Sequence, residues 1–117
     1  MRRVIPVLIA TAIALTALPT VTTAAKHSMV EEGKQLAFNR TKGNCLSCHM
    51  IADGVSPGNI GPPLVSMKTR FKSMTDVRNQ IWDPTKHNPE TSMPPFGRHN
   101  ILSDAEIEKI AAYIWTL

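Results

Sequence analysis

The sequence is poor in the residues that usually stabilise a small domain. Its 117 residues include only two cysteines, and its aromatic residues are two tryptophans, one tyrosine and three phenylalanines. A disulfide between Cys45 and Cys48 would close almost no loop and would add little stability, so the chain is not a disulfide scaffold. A domain of this size is marginal unless its core is braced. The sequence therefore predicts one small domain that needs an additional core element.

An excess of charge is also lacking. Thirteen basic and nine acidic residues give a formal charge of +4, and two of the basic residues, Arg2 and Arg3, lie in a segment that we expect to be removed. The remaining charges nearly cancel. This balance argues against nucleic acid as the main partner.

The N-terminal segment has the three parts of a signal peptide. Arg2 and Arg3 precede an uncharged, mostly apolar run over residues 4–18, and small residues follow before Lys26. The run is shorter than the roughly 20 residues that span a bilayer. We predict a signal peptide over residues 1–25, a domain over residues 26–117 and a periplasmic location without stable membrane insertion after cleavage. The alternative is an uncleaved anchor.

Apolar spacing predicts an all-α domain of three to five short helices, because no stretch shows the sustained alternation of a strand. The predicted helices cover residues 29–39, a segment starting at Pro63, a segment from Met74 to the stop at Asp83 and Pro84, and a last helix after Ser103. Ser103 and Glu106 form the sequence pattern of a capping box. The proline-rich stretch 83–101 predicts no regular structure. A loop of that length in so small a domain indicates that it wraps around something.

Residues 45–49 carry the chemistry. They form C-x-x-C-H, the attachment motif of c-type haem, in which Cys45 and Cys48 make thioethers and His49 supplies a nitrogen to iron. A redox-active dithiol would need a βαβ setting, and structural zinc would need two further ligands at suitable spacing. The motif therefore predicts one covalently bound haem c, which would supply the missing core.

The second axial ligand decides between an electron carrier and a catalyst. Met93 is our main candidate because the neighbouring prolines restrict its backbone before any ligand is bound. With His49 and Met93 both bound, iron has no open position, which favours one-electron transfer. The alternatives that remain are Met67, Met74, His87 and His99.

Residues 61–64 are candidates for contacts around His49. A ligating histidine normally has its other ring nitrogen fixed by an acceptor. We predict that the Pro62 carbonyl accepts this hydrogen bond and that Leu64 packs on the porphyrin. A plain turn before a helix is compatible with the same residues.

The order of these elements resembles the class I cytochrome c family. In that family the first and last helices cross with a glycine at the contact and an aromatic residue opposite, positions that Gly33 and Tyr113 match. A narrower resemblance, over residues 32–117, is to the SoxX family of small monohaem subunits. It is carried by G-N-C-L-S-C-H, I-G-P-P-L, N-P-x-T-x-M-P-P-F-G and the ending T-L.

The SoxX resemblance implies a heterodimer with a SoxA cytochrome subunit. It also implies a role in the SoxAX L-cysteine S-thiosulfotransferase, which joins thiosulfate oxidatively to a cysteine of the carrier SoxYZ. In that family the thiol chemistry belongs to SoxA, so this chain would be a non-catalytic electron acceptor. The alternatives are a free-standing periplasmic electron shuttle and, if Met93 does not bind iron, a haem enzyme or gas sensor.

Overall fold

The computed structural model describes residues 21–117, so most of the predicted signal peptide lies outside the described residues. This part of the chain forms four α-helices: α1 (Val21–Phe38), α2 (Met67–Arg70), α3 (Met74–Trp82) and α4 (Asp104–Ile114). Two 3₁₀ turns cover Cys45–Ser47 and Pro84–Lys86. Residues 21–117 contain no strand, which confirms the all-α prediction. Within the same range, none of the helices combines the length and apolar character needed to cross a membrane.

Helices α1 and α4 cross at Gly33. A Cβ atom placed on Gly33 would overlap the backbone carbonyl of Lys109, so only glycine allows the two helices to approach this closely. Beside this contact the rings of Phe38 and Tyr113 lie with their centroids 6.2 Å apart and tilted by 60°. The crossing predicted for Gly33 and Tyr113 is therefore present.

The ends of α3 and the start of α4 are set by residues close to them in the sequence. Ser103 Oγ accepts from the backbone N–H of Glu106, and the Glu106 carboxylate accepts from the backbone N–H of Ser103, which is the predicted capping box. Ser73 caps α3 in the same way by accepting from Asp76 N–H. Helix α3 ends at Trp82, immediately before Asp83, as predicted.

The other two helices differ from the sequence-based prediction. Helix α1 begins at Val21 instead of Met29; residues 21–28 lack the apolar repeat but contain no glycine or proline to stop a helix. Helix α2 begins at Met67 instead of Pro63. A helix from Pro63 would need the Met67 N–H to bond to the Pro63 carbonyl, but that N–H donates to Leu117 O at 3.0 Å. The carbonyl of Pro63 instead accepts from Arg70 Nη1 at 2.7 Å.

The core lies between α1, α3 and α4. Its buried members are one alanine of α1, two residues of α3, six of the α4 region and two from the chain between α1 and α3: Ala37, Val77, Ile81, Leu102, Ile107, Ile110, Ala111, Tyr113, Ile114, Ile51 and Met67. Tyr113 is the aromatic residue among these buried members, whereas Phe71, Trp82 and Phe96 are only partly buried and lie at the edge of the cluster. The helices thus form a framework that carries two long loops, residues 39–66 and 83–103.

Candidate functional site

The two cysteines lie on a tight turn that packs beneath α1. Asn44 initiates the turn in the left-handed conformation, with φ at 48°, and His49 N–H donates to Cys45 O at 2.9 Å. Gly43 N–H donates to Leu36 O at 3.1 Å, which ties the turn to the end of α1. Cys45 and Cys48 do not form a disulfide. Both side chains line the same cavity, so the turn presents two thiols and an imidazole to one space.

Cys45 lacks the character of a redox thiolate. Burial raises the pKa of its thiol to about 11, so the group is protonated near neutral pH. Reactive cysteines of disulfide oxidoreductases have lowered pKa values instead. This environment argues against dithiol redox chemistry at the motif.

The imidazole of His49 is held by the segment that follows Gly61. Its Nδ1 lies 2.7 Å from the carbonyl oxygen of Pro62, and because a carbonyl can only accept, Nδ1–H is the donor. A Cβ on Gly61 would lie 2.6 Å from Nδ1, so glycine is needed for this close approach. The hydrogen bond predicted between His49 and Pro62 is therefore present, and it leaves Nε2 as the ring nitrogen that can bind a metal.

A cavity of about 760 Å³ opens in front of His49. This volume is within the range of about 300–1,000 Å³ that is typical of cofactor sites. The apolar side chains that line it come from α2, α3, α4 and the segments that flank them: Leu64, Met67, Phe71, Val77, Ile81, Met93, Pro94, Phe96, Ile110 and Ile114. Pro62 and Leu64 are both at its wall, as the sequence predicts.

Among the candidates for the second axial ligand, Met93 and Met67 line the cavity within residues 21–117, and Met74, His87 and His99 do not. Met67 is buried in α2, and its sulfur lies 3.6 Å from Arg70 Nη1. Met93 is in the loop, outside any helix, and is only partly buried. The structure thus reduces five candidates for the second ligand to two. Of these, the Met67 sulfur contacts Arg70, so we favour Met93.

The cavity wall also carries charged side chains. Three basic residues, Arg40, Lys42 and Arg70, line the cavity. Within the described part of the chain, Glu90 is the one acidic residue that lines it. The surplus of positive charge suits a ligand that carries carboxylates. No motif marks these residues, because Arg40 and Lys42 lie in one segment of the chain, Arg70 in a second and Glu90 in a third.

The residues present fit haem c. The fit rests on four features of this structure: two thiols on one turn, an imidazole with a free Nε2, a methionine in the wall and a largely apolar cavity with a basic rim. Cys45 and Cys48 would hold the group through thioethers, and His49 and Met93 would bind its iron.

The chain shows three similarities to known proteins, and the family match agrees with this donor set. The family model described as "Cytochrome c" matches residues 30–117. A chain of the crystal structure of SoxXA from P. pantotrophus superposes with a TM-score of 0.66 at 27% identity, covering 74% of this chain and 79% of that chain. An uncharacterized lipoprotein of Aquifex aeolicus (strain VF5) is 34% identical over 74 residues, which is 62% of this chain. The match spans only 36% of that lipoprotein's length.

Proposed function

The chain belongs to the cytochrome c family, and from this premise we propose that it is the haem c electron-transfer subunit of a periplasmic SoxAX-type complex. The single observation that carries the proposal is the convergence of Cys45, Cys48, His49 and Met93 on one cavity. The family and the all-α structure show a class I cytochrome c fold, and they support an electron-transfer role.

Each residue of the site has one task. Cys45 and Cys48 would hold the cofactor covalently, and the Pro62 carbonyl orients His49, whose Nε2 would bind iron. Met93 and Leu64 line the same cavity; Met93 would supply the second ligand to iron, and Leu64 would pack against the cofactor. When bound, haem c supplies a one-electron couple whose potential is raised by methionine ligation. With His49 and Met93 both bound to iron, no position would remain for a substrate.

Similarity to the SoxXA chain supports assembly with a SoxA-type subunit. The surface supports it as well. Four large apolar side chains are exposed in the segment between His49 and α2: Met50, Val55, Ile60 and Val65. Val55 is 85% exposed and Ile60, which also borders the cavity, is 72% exposed. Exposed apolar side chains in the segment that also carries Ile60 at the cavity are expected of an obligate subunit, which buries them against its partner.

The basic side chains near the site are less suited to a weakly binding charged rim. Lys42 pairs with Glu106, and Arg98 pairs with Asp83. Lys68 and Lys86 lie over the rings of Trp115 and Trp82. Two of these four charges are therefore paired with carboxylates of the chain itself, which favours the subunit over the free-standing shuttle.

The proposed reaction requires a second redox centre. Joining thiosulfate to a cysteine sulfur of SoxYZ releases two electrons, whereas one haem accepts one at a time. We assign the sulfur chemistry to the SoxA-type partner and the electron uptake to this chain, which is then a non-catalytic subunit of an L-cysteine S-thiosulfotransferase. A signal peptide over residues 1–25 would deliver the chain to the periplasm.

Copurification tests the assembly. The tagged holoprotein should retain a second cytochrome chain, and Val55→Glu with Val65→Glu should abolish retention while leaving the haem spectrum unchanged, because neither residue lines the cavity. Met29→Glu is the matched control, because Met29 is 41% exposed but lies on α1. A wild-type protein that never retains a second cytochrome would support the shuttle and contradict the proposal.

A further inference from the structure

The loop that carries Met93 is closed at its base. The carbonyl of Trp82, the last residue of α3, accepts from the backbone N–H groups of Gly97 at 3.1 Å and Arg98 at 3.2 Å. A Cβ on Gly97 would overlap the indole of Trp82, so the returning chain lies directly against that ring. The outgoing and returning ends of the loop are therefore held side by side.

Asp83 joins the same two ends through its side chain, which is only 5% exposed. One carboxylate oxygen, Oδ1, accepts from Thr85 Oγ1 at 2.6 Å and from Thr85 N–H at 3.2 Å. The other oxygen, Oδ2, lies 3.2 Å from Arg98 Nε. Hydrogen bonding from the Thr85 hydroxyl, with the neighbouring backbone N–H and the Arg98 charge, holds the pKa of Asp83 below its usual range. The carboxylate is thus ionised, and each of its two oxygens has a partner within the loop.

Between its ends the loop has little freedom of its own. Asn88 Oδ1 accepts from Glu90 N–H at 3.1 Å, and Thr91 Oγ1 accepts from Met93 N–H at 3.2 Å. Pro94 and Pro95 then fix two successive φ angles. Because the middle of the loop is locally ordered, opening must occur mainly at the base. Opening there would separate Asp83 from Arg98 and leave a desolvated carboxylate without its partner, which is unfavourable.

We propose that Asp83 and Arg98 form a clamp that positions the Met93 sulfur at the cavity. Both are positioning residues that act through Met93, and neither touches the cofactor site itself. The inference rests on the proposed ligation of iron by Met93. Its consequence is that breaking the clamp raises the population in which Met93 has left iron, so that an external ligand competes more successfully.

Imidazole titration of the oxidised holoprotein, followed by its visible spectrum, tests the clamp. Asp83→Asn and Arg98→Gln should each lower the imidazole dissociation constant about tenfold, the effect expected from losing one charge-assisted hydrogen bond. Arg98→Lys should recover part of the wild-type value because it restores the charge. Asp76→Asn is the matched control: Asp76 accepts from the Ser73 hydroxyl at the start of α3, away from the loop, and should leave imidazole affinity unchanged.

The outcomes separate the clamp from the ligation on which it rests. If Met93→Ala binds imidazole no more tightly than the wild type, Met93 is not a ligand, and both proposals fall. If Met93→Ala binds more tightly but Asp83→Asn and Arg98→Gln match the wild type, the clamp alone is overturned. Should Asp83→Asn fail to fold, Arg98→Gln decides the question, because the Arg98 side chain is 47% exposed and its loss leaves the Thr85 contacts intact.

Discussion

Removal of the covalent cofactor should unfold most of the domain. In the double variant Cys45→Ala, Cys48→Ala no thioether can form, and the walls of a cavity of about 760 Å³ lose their contents. At about 24 cal/mol per Å³, a fully enclosed cavity of this size would cost on the order of 18 kcal/mol. Because this cavity is open on one side and water can enter it, we take the cost as about half of the value for an enclosed void. Even about 9 kcal/mol is comparable to the entire 5–15 kcal/mol that typically stabilises a domain.

The assay is thermal unfolding followed by far-ultraviolet circular dichroism. We expect the haem-free double variant to show weak helical signal and no cooperative transition, while the holoprotein melts in one step. Ser47→Ala is the matched control, since Ser47 lies on the same turn but is not one of the two cysteines; its hydroxyl donates to Asn44 O and lies 3.6 Å from Cys48 Sγ. It should keep the haem and lose about 1 kcal/mol at most. A cooperative transition with native helix content in the double variant would refute the reasoning.

Three further predictions concern the framework. Gly33→Ala should lower the free energy of unfolding by about 3 kcal/mol or more, because its Cβ would overlap the backbone carbonyl of Lys109. Gly54→Ala should cost less in the same denaturant titration, because its Cβ would overlap only the flexible tip of Leu46 and would lie 3.1 Å from the Ile51 carbonyl oxygen. Hydrogen bonds from Lys42 and then from the backbone lower the pKa of Glu106 to about 2 from 4.5, so its contribution is present above about pH 4.5 and is lost as the pH falls towards 2. Glu106→Gln should therefore flatten the dependence of stability on pH in that interval, and an unchanged slope would contradict this. The hydroxyl of Tyr113 is buried and makes no hydrogen bond among the described residues, so Tyr113→Phe should raise the free energy of unfolding by up to about 1 kcal/mol, and a lower melting temperature would count against it.

Features of the site that depend on neighbouring residues could be predicted from the sequence. The spacing of Cys45, Cys48 and His49 fixes their placement on one turn, and the capping pattern at Ser103 fixes the start of α4. The hydrogen bond from His49 to Pro62 could also be inferred, because a ligating imidazole needs an acceptor and a proline carbonyl is suited to the task.

Features that depend on distant segments could not be predicted. The α2 helix starts late because the Met67 N–H bonds to the carbonyl of Leu117, fifty residues away in the chain. The pairing of Asp83 with Arg98 likewise requires the path of the whole intervening loop. Charged side chains carry no periodicity that marks their partners, so only the folded chain shows which of them meet.

The central claim is that His49 and Met93 together occupy the iron and exclude outside ligands. Exposing the reduced holoprotein to carbon monoxide tests it most directly. The account predicts that the visible spectrum stays unchanged in the wild type and shifts in Met93→Ala, where one axial position is open. Rapid carbon monoxide binding by the wild-type protein would contradict it and would point to a haem enzyme or gas sensor instead of an electron-transfer subunit.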